Sequence, residues 1–588
     1  MEMSSSEDEV NFDQDDFDVD DEWIPNSQNE FSEIEDVSAE NNVVIEIESD
    51  NDSDIYLPED VIPVCNDHQF LCSKDGKVWS IKPTYTGKMQ PHNILRQRRG
   101  PVSSTIMLSI CDLFKRFFDN TIYDIVIRQT NRKAKAVYAR WNLDNPTKKK
   151  TWVDFTSVEL DAFLGFLITA GVRQSSGEHI SELFKSDAYP LYRAVMARSR
   201  FLELCRFIRF DDIRTRPGRL LTDKAAAIKD IWLILNSNLS KLYVPSDCIV
   251  VDEQLFPYRG RTRFTQYMPS KPAKYGIKVW WVCDASNSYP MSGQIYTGKS
   301  AEGRETMQGE RVVKDLCHPF KNSGRNVTMD NFFTSLSLAQ ILLSWKMSMV
   351  GTLKKNKAFI PIELVAVKNR TPASSLFAFS EDGNVSLCSY IPKKNKNVLL
   401  MSTMHKDDAV SGLLNKPDII QYYNKTKGGV DNMDKMLAHF STKRRTSRWP
   451  LALFYNMLDV ACLATYIIHK ENNPEVGKHS NSRRVFLQEL GKNLSLNAIR
   501  TRATNRQVTK HFASRLAIES LLGHPISYET ETCSSATEIK TPCQVIGSCY
   551  LCRSTAKHQR KTRQSCNSCR KPICKEHSRT IFKCNSCT

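Results

Sequence analysis

Apolar residues recur with a helical period in the first strongly patterned stretch of the chain. The stretch opens with four apolar residues at i, i+1, i+4 and i+5: Leu113, Phe114, Phe117 and Phe118. Thr156 and Glu159 then form a capping-box pattern ahead of the apolar run AFLGFLITAGV, which indicates the start of a buried helix. The pattern predicts an all-α domain over residues 101–247.

At residue 248 the periodicity changes from that of helices to that of strands. Three β-branched or apolar runs come first: CIVVDEQL (248–255), IKVWWVCD (277–284) and QIYTG (294–298). They are followed in turn by a predicted helix, strand, helix and strand: about 304–318, 326–330, 334–345 and 348–353. This order predicts a mixed α/β sheet, whose first part covers residues 248–356.

Residues 357–417 interrupt the sheet with short strands around the turn EDGN, and we interpret them as an insertion. The last part of the α/β domain follows at 418–440, and a second helical block at 441–524 is expected to pack on the first. Its apolar run LALFYNMLDVACLATYII predicts an amphipathic helix too short to span a bilayer, so we expect no membrane association.

Charge is distributed unevenly along the chain. Residues 1–60 hold 23 Asp and Glu with no Lys or Arg, which leaves 43 acidic against 81 basic residues in the remainder. We therefore expect 1–100 to be a disordered acidic region with a basic linker, and 525–545 to be a second linker. The strongly basic remainder of the chain favours a nucleic-acid partner, although a solvated basic surface is the alternative.

Two apolar runs end in single aspartates, Asp252 and Asp330, and a helical pattern at GGVDNMDKM begins with Asp431 and Asp434. If these carboxylates meet, they offer the hard oxygen ligands that Mg²⁺ prefers, and two such ions catalyse phosphodiester chemistry. Taken singly, each has a structural alternative: an N-cap at Asp431, a first-turn carboxylate at Asp434, and a turn at Asp330.

Residues 546–588 form a cysteine-rich segment with the spacing C-x2-C-x13-C-x2-C-x4-C-x2-H-x6-C-x2-C. Paired spacings of this kind suit tetrahedral Zn²⁺, and eight ligands serve two ions, whereas disulfides are the weaker alternative. We predict a cross-brace in which the first ion is held by Cys549, Cys552, Cys574 and His577. The second ion would be held by Cys566, Cys569, Cys584 and Cys587.

Five motifs occur in an order that resembles the piggyBac-type DDE/D transposases: VDEQLFPYRGR, PSKPAKYGIK, MDNFFTS, YYNKTKGGVDNMDKM and SRWP. The resemblance runs from about residue 106 to the C-terminus. It implies an RNase H-like catalytic domain with an insertion, flanked by a split all-α dimerisation and DNA-binding domain. The terminal zinc domain is expected to bind transposon-end DNA.

The resemblance also implies an activity and its residues. Asp252, Asp330 and Asp431 fall on the family's catalytic aspartates, and Asp434 on its fourth acidic residue. The expected enzyme is a cut-and-paste transposase using two Mg²⁺ or Mn²⁺ ions per site. It would hydrolyse transposon ends, form hairpins on them, and join 3′-hydroxyls into TTAA sites. A homodimer in the nucleus is expected, with double-stranded DNA as partner.

Basic residues near the predicted site are candidates for DNA contact. Lys354 and Lys357 fall where the family contacts the DNA backbone. Trp449 is preceded by four further candidates: Lys443, Arg444, Arg445 and Arg448. An unstacked base could stack on Trp449, a contact that contributes about 1–3 kcal/mol. The alternative is a core tryptophan at a helix start.

Two other functions remain open. The first is a domesticated transposase-derived protein that binds DNA or chromatin without cleaving it. The second is a zinc-domain ubiquitin ligase or histone reader, although His577 is the sixth ligand in order, which departs from both of those domain patterns.

Overall fold

The computed structural model describes residues 69–83, 95, 97–260, 262–298, 305–526, 547–552, 561–562, 564 and 571–578. The predicted acidic region at 1–60 and most of the 525–545 linker therefore lie outside the described residues.

The helices of the described residues are, in chain order, α1 (Ile110–Phe117), α2 (Asn120–Asp144), α3 (Ser157–Val172), α4 (Ile180–Leu183), α5 (Pro190–Val195), α6 (Arg198–Phe207), α7 (Arg216–Leu220), α8 (Lys229–Leu242), α9 (Gln308–Cys317), α10 (Leu336–Ser344), α11 (Ile362–Val365), α12 (Asp418–Thr426), α13 (Gly429–His439), α14 (Trp449–Asn472), α15 (Ser482–Thr504), α16 (Arg506–Thr509) and α17 (Phe512–Leu522).

The strands are β1 (Phe70–Cys72), β2 (Val78–Ser80), β3 (Gly100–Pro101), β4 (Tyr243–Val244), β5 (Cys248–Pro257), β6 (Thr265–Tyr267), β7 (Tyr275–Asp284), β8 (Pro290–Ile295), β9 (Asn326–Met329), β10 (Ser348–Thr352), β11 (Ser375–Ser380), β12 (Ser386–Lys393), β13 (Lys396–Ser402), β14 (Val410–Ser411), β15 (Lys416–Pro417), β16 (Gly547–Ser548) and β17 (Lys561–Thr562).

A single mixed sheet organises the middle of the chain, in the order β1-β2-β11-β12-β13-β10-β9-β5-β7-β6, with β8 on β7. At its centre β9 pairs in parallel with both β5 and β10, whereas β7 pairs antiparallel with β5 and β8. The segment 357–417, interpreted from sequence as an insertion, adds β11, β12 and β13 to this same sheet, because β13 pairs with β10.

The predicted cap of α3 is confirmed: the Thr156 side chain accepts a hydrogen bond from the Glu159 backbone N–H. The carboxylate of Glu159 does not turn back to complete the capping box. It forms an ion pair with Arg200, at 2.8 Å between Nη2 and Oε2. Its charge therefore ties α3 to α6 instead of capping its own helix.

Helix α14 differs from the sequence-based expectation. It is 24 residues long and, by length and composition, apolar enough to cross a membrane. It is also buried along its apolar window, on all faces rather than one, so it is a core helix and not an amphipathic one. The sequence predicted a solvent-facing side because the helix contains polar residues such as Asn456 and Asp459. In the structure these residues are buried, and neighbouring elements satisfy their hydrogen bonds.

The two helical blocks meet where α15 crosses α3 at two glycines. A Cβ built on Gly165 would lie 2.4 Å from Ser495 Oγ and 2.6 Å from the Gly491 carbonyl oxygen. Only hydrogen at this position lets the two backbones approach so closely.

We expect Gly165→Ala to destabilise the protein, although alanine is the better helix former by about 1 kcal/mol. Overpacking against a backbone carbonyl costs about 1–3 kcal/mol, and this effect outweighs the propensity gain. The measurement is the urea midpoint of the full chain. Gly177→Ala is the matched control, because no atom lies within 4 Å of a Cβ built there. Equal midpoints for the two variants would contradict the prediction.

Candidate active site and zinc centre

Two of the predicted aspartates are brought side by side by the register of β5 and β9. The last parallel pair between these strands is Val251 with Met329. An aspartate follows each member of this pair: Asp252 follows Val251, and Asp330 follows Met329. The sequence suggested that both strands end here, but only β9 does. Strand β5 runs on to Pro257, paired with β7.

A third carboxylate joins them, and sequence reasoning missed it. Single oxygen atoms of Asp252, Glu253 and Asp330 all lie within 4.8 Å of one another. The Glu253 carboxylate is also 3.6 Å from the amine of Lys278, which is the neighbouring charge on β7. Adjacent strand residues normally point to opposite faces, so alternation gave no reason to pair Glu253 with Asp252.

Helix α13 carries the other two aspartates to the same place. Gly429 begins the helix, and a Cβ built on it would lie 3.0 Å from Val250 Cγ2, so the helix start packs closely on β5. Asp431 lies in the first turn, and its Oδ1 is 3.1 Å from the Lys271 amine. Asp431 is exposed and does not join the group of three within 4.8 Å.

Asp434 is held by a buried amide network rather than by the other carboxylates. The Gln254 amide nitrogen donates to Asp434 Oδ1 at 2.8 Å. The Gln254 amide oxygen in turn accepts from Trp281 Nε1 at 2.9 Å and from Asn456 Nδ2 at 3.1 Å. Gln254 therefore orients Asp434, and it too was missed, because a glutamine within a strand carries no pattern of its own.

The carboxylates repel one another in the metal-free protein. Burial raises the pKa of Asp252 well above its usual range, and the charges of Glu253, Asp330 and Asp431 add to the shift. Burial and the charge of Glu253 raise the pKa of Asp330 to about 6. Burial also raises the pKa of Asp434. A site that concentrates negative charge in this way gains stability when a cation binds.

The donor set fits a hard divalent cation. Carboxylate oxygens are the ligands that Mg²⁺ and Mn²⁺ prefer, and Mg²⁺ is usually held by one or two protein carboxylates plus water or substrate phosphate. Asp252, Glu253 and Asp330 provide such a set, with Asp431 near enough to contribute to the charge at Asp252.

The predicted DNA-binding residues before α14 divide into two groups. The Arg444 guanidinium is buried and donates to the carbonyl oxygens of Ser175 and Glu178. Arg448 donates to three carbonyls at the C-terminal end of α6, those of Cys205 and Arg206 in its last turn and Ile208 O, at 2.5 Å, just after it. These two arginines therefore tie helical segments together, which differs from the DNA contact expected of them. Their charge alone did not show that carbonyl groups face them.

The remaining predicted contacts have side chains that reach solvent. Arg445 and Lys354 are exposed, and Lys357 and Lys443 are half-buried, the last with its amine 5.6 Å from the Phe256 ring centre. Trp449 is also half-buried and packs edge-on against Phe264, with ring centroids 5.1 Å apart. Part of the Trp449 ring, at the first residue of α14, therefore packs in the core. DNA contact by these five residues stays a prediction.

The first predicted zinc ligand set comes together. Cys549, Cys552, Cys574 and His577 each present one ligand atom within 4.8 Å of the others, and the three cysteines are free thiols. Ideal zinc bonds to sulfur and nitrogen at tetrahedral angles give S···S and S···N edges of about 3.8 and 3.6 Å. Here Cys552 Sγ lies 3.8 Å from Cys574 Sγ and 3.5 Å from His577 Nδ1, so an ion of zinc's size fits.

Two thiols of this set have pKa values shifted in opposite directions, and burial raises the pKa of Cys552 to about 11. Burial raises the pKa of Cys549, but backbone N–H groups of Cys552 and Cys574, together with His577, outweigh it and lower the pKa to about 6. The thiolate is the form that binds zinc. The second predicted set, Cys566, Cys569, Cys584 and Cys587, lies outside the described residues.

The chain is similar to proteins that are already known. The family described as Transposase IS4 matches residues 109–464. Human PiggyBac transposable element-derived protein 3 is 24% identical over 372 residues, covering 59% of this chain and 58% of that protein. Human PiggyBac transposable element-derived protein 2 is 22% identical over 387 residues, covering 62% of each chain. The chain thus spans about six tenths of the length of these curated relatives.

A solved structure extends the likeness. The piggyBac transposase in a synaptic complex with hairpin DNA matches with a TM-score of 0.69 and 33% identity, over 84% of this chain and 100% of that one. The large mixed sheet and its carboxylates thus define a DDE-type transposase fold. The matched residues make up more than half of the chain, which belongs to the Transposase IS4 family and, within it, is similar to piggyBac-type transposases.

Proposed function

We propose that this protein is a metal-dependent DNA transposase that cleaves transposon ends and joins them to target DNA. The observation that carries the proposal is the meeting of Asp252, Glu253 and Asp330 where β9 ends beside β5. The piggyBac transposase whose structure holds hairpin DNA is matched over its whole length, which supports the same class of substrate.

The catalytic domain in this proposal is RNase H-like and comprises 248–356 and 418–440. Its sheet would be the part ordered β8-β7-β5-β9-β10, antiparallel on one side of β5 and parallel on the other. The other proposed parts of the protein are the insertion at 357–417 and the split helical domain at 101–247 and 441–524. We retain these boundaries as proposals, together with a homodimer, a nuclear location, hairpin intermediates and TTAA targets.

The residues of the chain have distinct roles in this reaction. Asp252, Glu253 and Asp330 would hold one divalent ion, and Asp431 with Asp252 a second. Such ions activate the attacking oxygen and stabilise the leaving oxygen of a phosphodiester. Gln254 would hold the Asp434 carboxylate through its amide N–H, and the Phe332 backbone N–H donates to Asp330 Oδ1 at 2.9 Å, fixing its rotamer.

The test is cleavage, in Mg²⁺ or Mn²⁺, of plasmid DNA carrying the sequences on either side of the gene, where a transposase would have its inverted repeats. Wild type should release the element with hairpin ends, which run as double-length strands on a denaturing gel. Asp330→Asn should lower the rate about a thousandfold, because losing several kcal/mol of charge stabilisation corresponds to that factor. Asp408→Asn, an exposed aspartate outside the site, is the control expected to cut normally.

A second function is supported by the names of the relatives, which are described as derived from transposable elements. In this case the protein binds end DNA without cutting it. Equal, sequence-specific retardation of the inverted repeats by wild type and Asp330→Asn, with cleavage by neither, would support this function. Equal cleavage by both would contradict the metal site.

A further inference from the structure

Lys271 places a positive charge inside the carboxylate site. Its amine lies 3.1 Å from Asp431 Oδ1 and donates to the Glu253 carbonyl oxygen, also at 3.1 Å. The side chain is only 16% exposed, whereas its partner Asp431 is 59% exposed. The contact thus joins a fixed cation to a carboxylate that has room to turn.

The loop that carries Lys271 is held by its own backbone. Between β6 and β7, Met268 N–H donates to Lys274 O at 2.8 Å, and Lys274 N–H donates to Lys271 O at 3.0 Å. Lys274 adopts a left-handed backbone with φ of 54°, which closes the turn. The position of the Lys271 amine is consequently set by the fold, and the exposed Asp431 carboxylate is the member of the pair with room to turn.

The charges facing the site show why a resident cation is needed. Five carboxylates converge there: Asp252, Glu253, Asp330, Asp431 and Asp434. Three amines face them: Lys271 beside Asp431, Lys278 beside Glu253, and Lys427, which also interacts with Asp431. The balance remains negative, which leaves room for a divalent ion. Two aspartates stand outside the group of three, and each has a partner of its own: Lys271 binds Asp431 and Gln254 binds Asp434.

We propose that Lys271 is a positioning residue that holds Asp431 in the metal-free protein and competes with a divalent ion for this carboxylate. The proposal rests on the function proposed above, because it assumes that the carboxylates bind metal. Metal binding at Asp431 then requires that carboxylate to leave the amine.

The proposal predicts a gain of metal affinity on mutation, whereas a structural role predicts a loss. Without the amine, repulsion of the incoming ion disappears, and charges at this distance interact strongly in a partly buried site. Lys271→Gln should therefore bind Mn²⁺ about tenfold more tightly. Lys271→Arg keeps the charge and should bind Mn²⁺ as weakly as wild type. Lys274→Gln removes an exposed charge from the same loop and should change little.

The experiment titrates the full chain, purified with its zinc and freed of Mg²⁺ and Mn²⁺, with Mn²⁺ and follows free Mn²⁺ by electron paramagnetic resonance. Asp252→Asn identifies which bound ions belong to the carboxylates, and thermal denaturation checks that each variant is folded. Unchanged or weaker Mn²⁺ binding by folded Lys271→Gln would overturn the proposal, as would an equal gain in Lys274→Gln. If Lys271→Gln does not fold, Lys271→Met replaces it in the same comparison.

DNA cleavage by wild type is measured in parallel. Cleavage without the Mn²⁺ gain would overturn the role of Lys271 and leave the transposase function standing. The Mn²⁺ gain without cleavage would overturn the transposase function and support the role of Lys271. The two proposals thus fail separately.

Discussion

Cys574→Ser is expected to unfold the C-terminal segment while the sheet and the helical blocks stay folded. The described part of this segment has a small core, formed by Cys549, Cys552 and Cys574 with Ile573 packed on them. Apolar burial therefore cannot offset the ordering entropy of the chain. Binding of zinc at such a site contributes about 10–16 kcal/mol, so losing one ligand removes most of the folding free energy of the segment.

Hydrogen exchange read by mass spectrometry separates this effect from global unfolding. Peptides covering 547–578 should lose protection in Cys574→Ser, and in wild type treated with a strong chelator, whereas peptides from β5, β9 and α14 should keep it. The zinc content of the variant should fall below that of wild type. Cys543→Ser changes a cysteine that the ligand pattern leaves out, so it should behave as wild type. Retained protection in zinc-free protein would show that the segment folds without metal.

The sequence predicted elements whose determinants are local. The Thr156 cap, the strands β5, β7 and β9, and the first zinc set all follow from residues close together in the chain. The predicted meeting of Asp252 with Asp330 is seen in the geometry because two short apolar runs became neighbouring parallel strands. The piggyBac-type resemblance is confirmed by comparison with the solved transposase.

The features that could not be predicted from the sequence depend on the register of the strands and on contacts between segments far apart in the chain. Glu253 joins the site although it directly follows Asp252 on β5, and neither strand alone marks this residue as a third carboxylate. Arg444 and Arg448 look like DNA ligands by charge, yet carbonyl groups from distant helices bind them. Lys271 lies 160 residues from its partner Asp431, so only the assembled fold shows the pair.

Asp252→Asn is expected to stabilise the protein freed of Mg²⁺ and Mn²⁺ at pH 8 and to abolish the DNA cleavage proposed above. Because the pKa of Asp252 is raised well above its usual range, the folded protein holds a proton that the unfolded chain releases. Stability therefore falls as pH rises from about 4, the ordinary aspartate value, and Asp330 adds a further loss up to its pKa of about 6. The neutral amide at 252 carries no such penalty.

Urea denaturation of metal-free wild type and Asp252→Asn at pH 5 and pH 8 measures this difference. The variant's advantage should be larger at pH 8, and added Mn²⁺ should stabilise wild type but not the variant, because only wild type retains the ligand. Cleavage by the variant should fall about a thousandfold or more, by the same charge argument that applies to Asp330. A variant less stable than wild type at pH 8 would mean that the Asp252 carboxylate stabilises the fold. In that case repulsion among the carboxylates would not account for binding of a cation at this site.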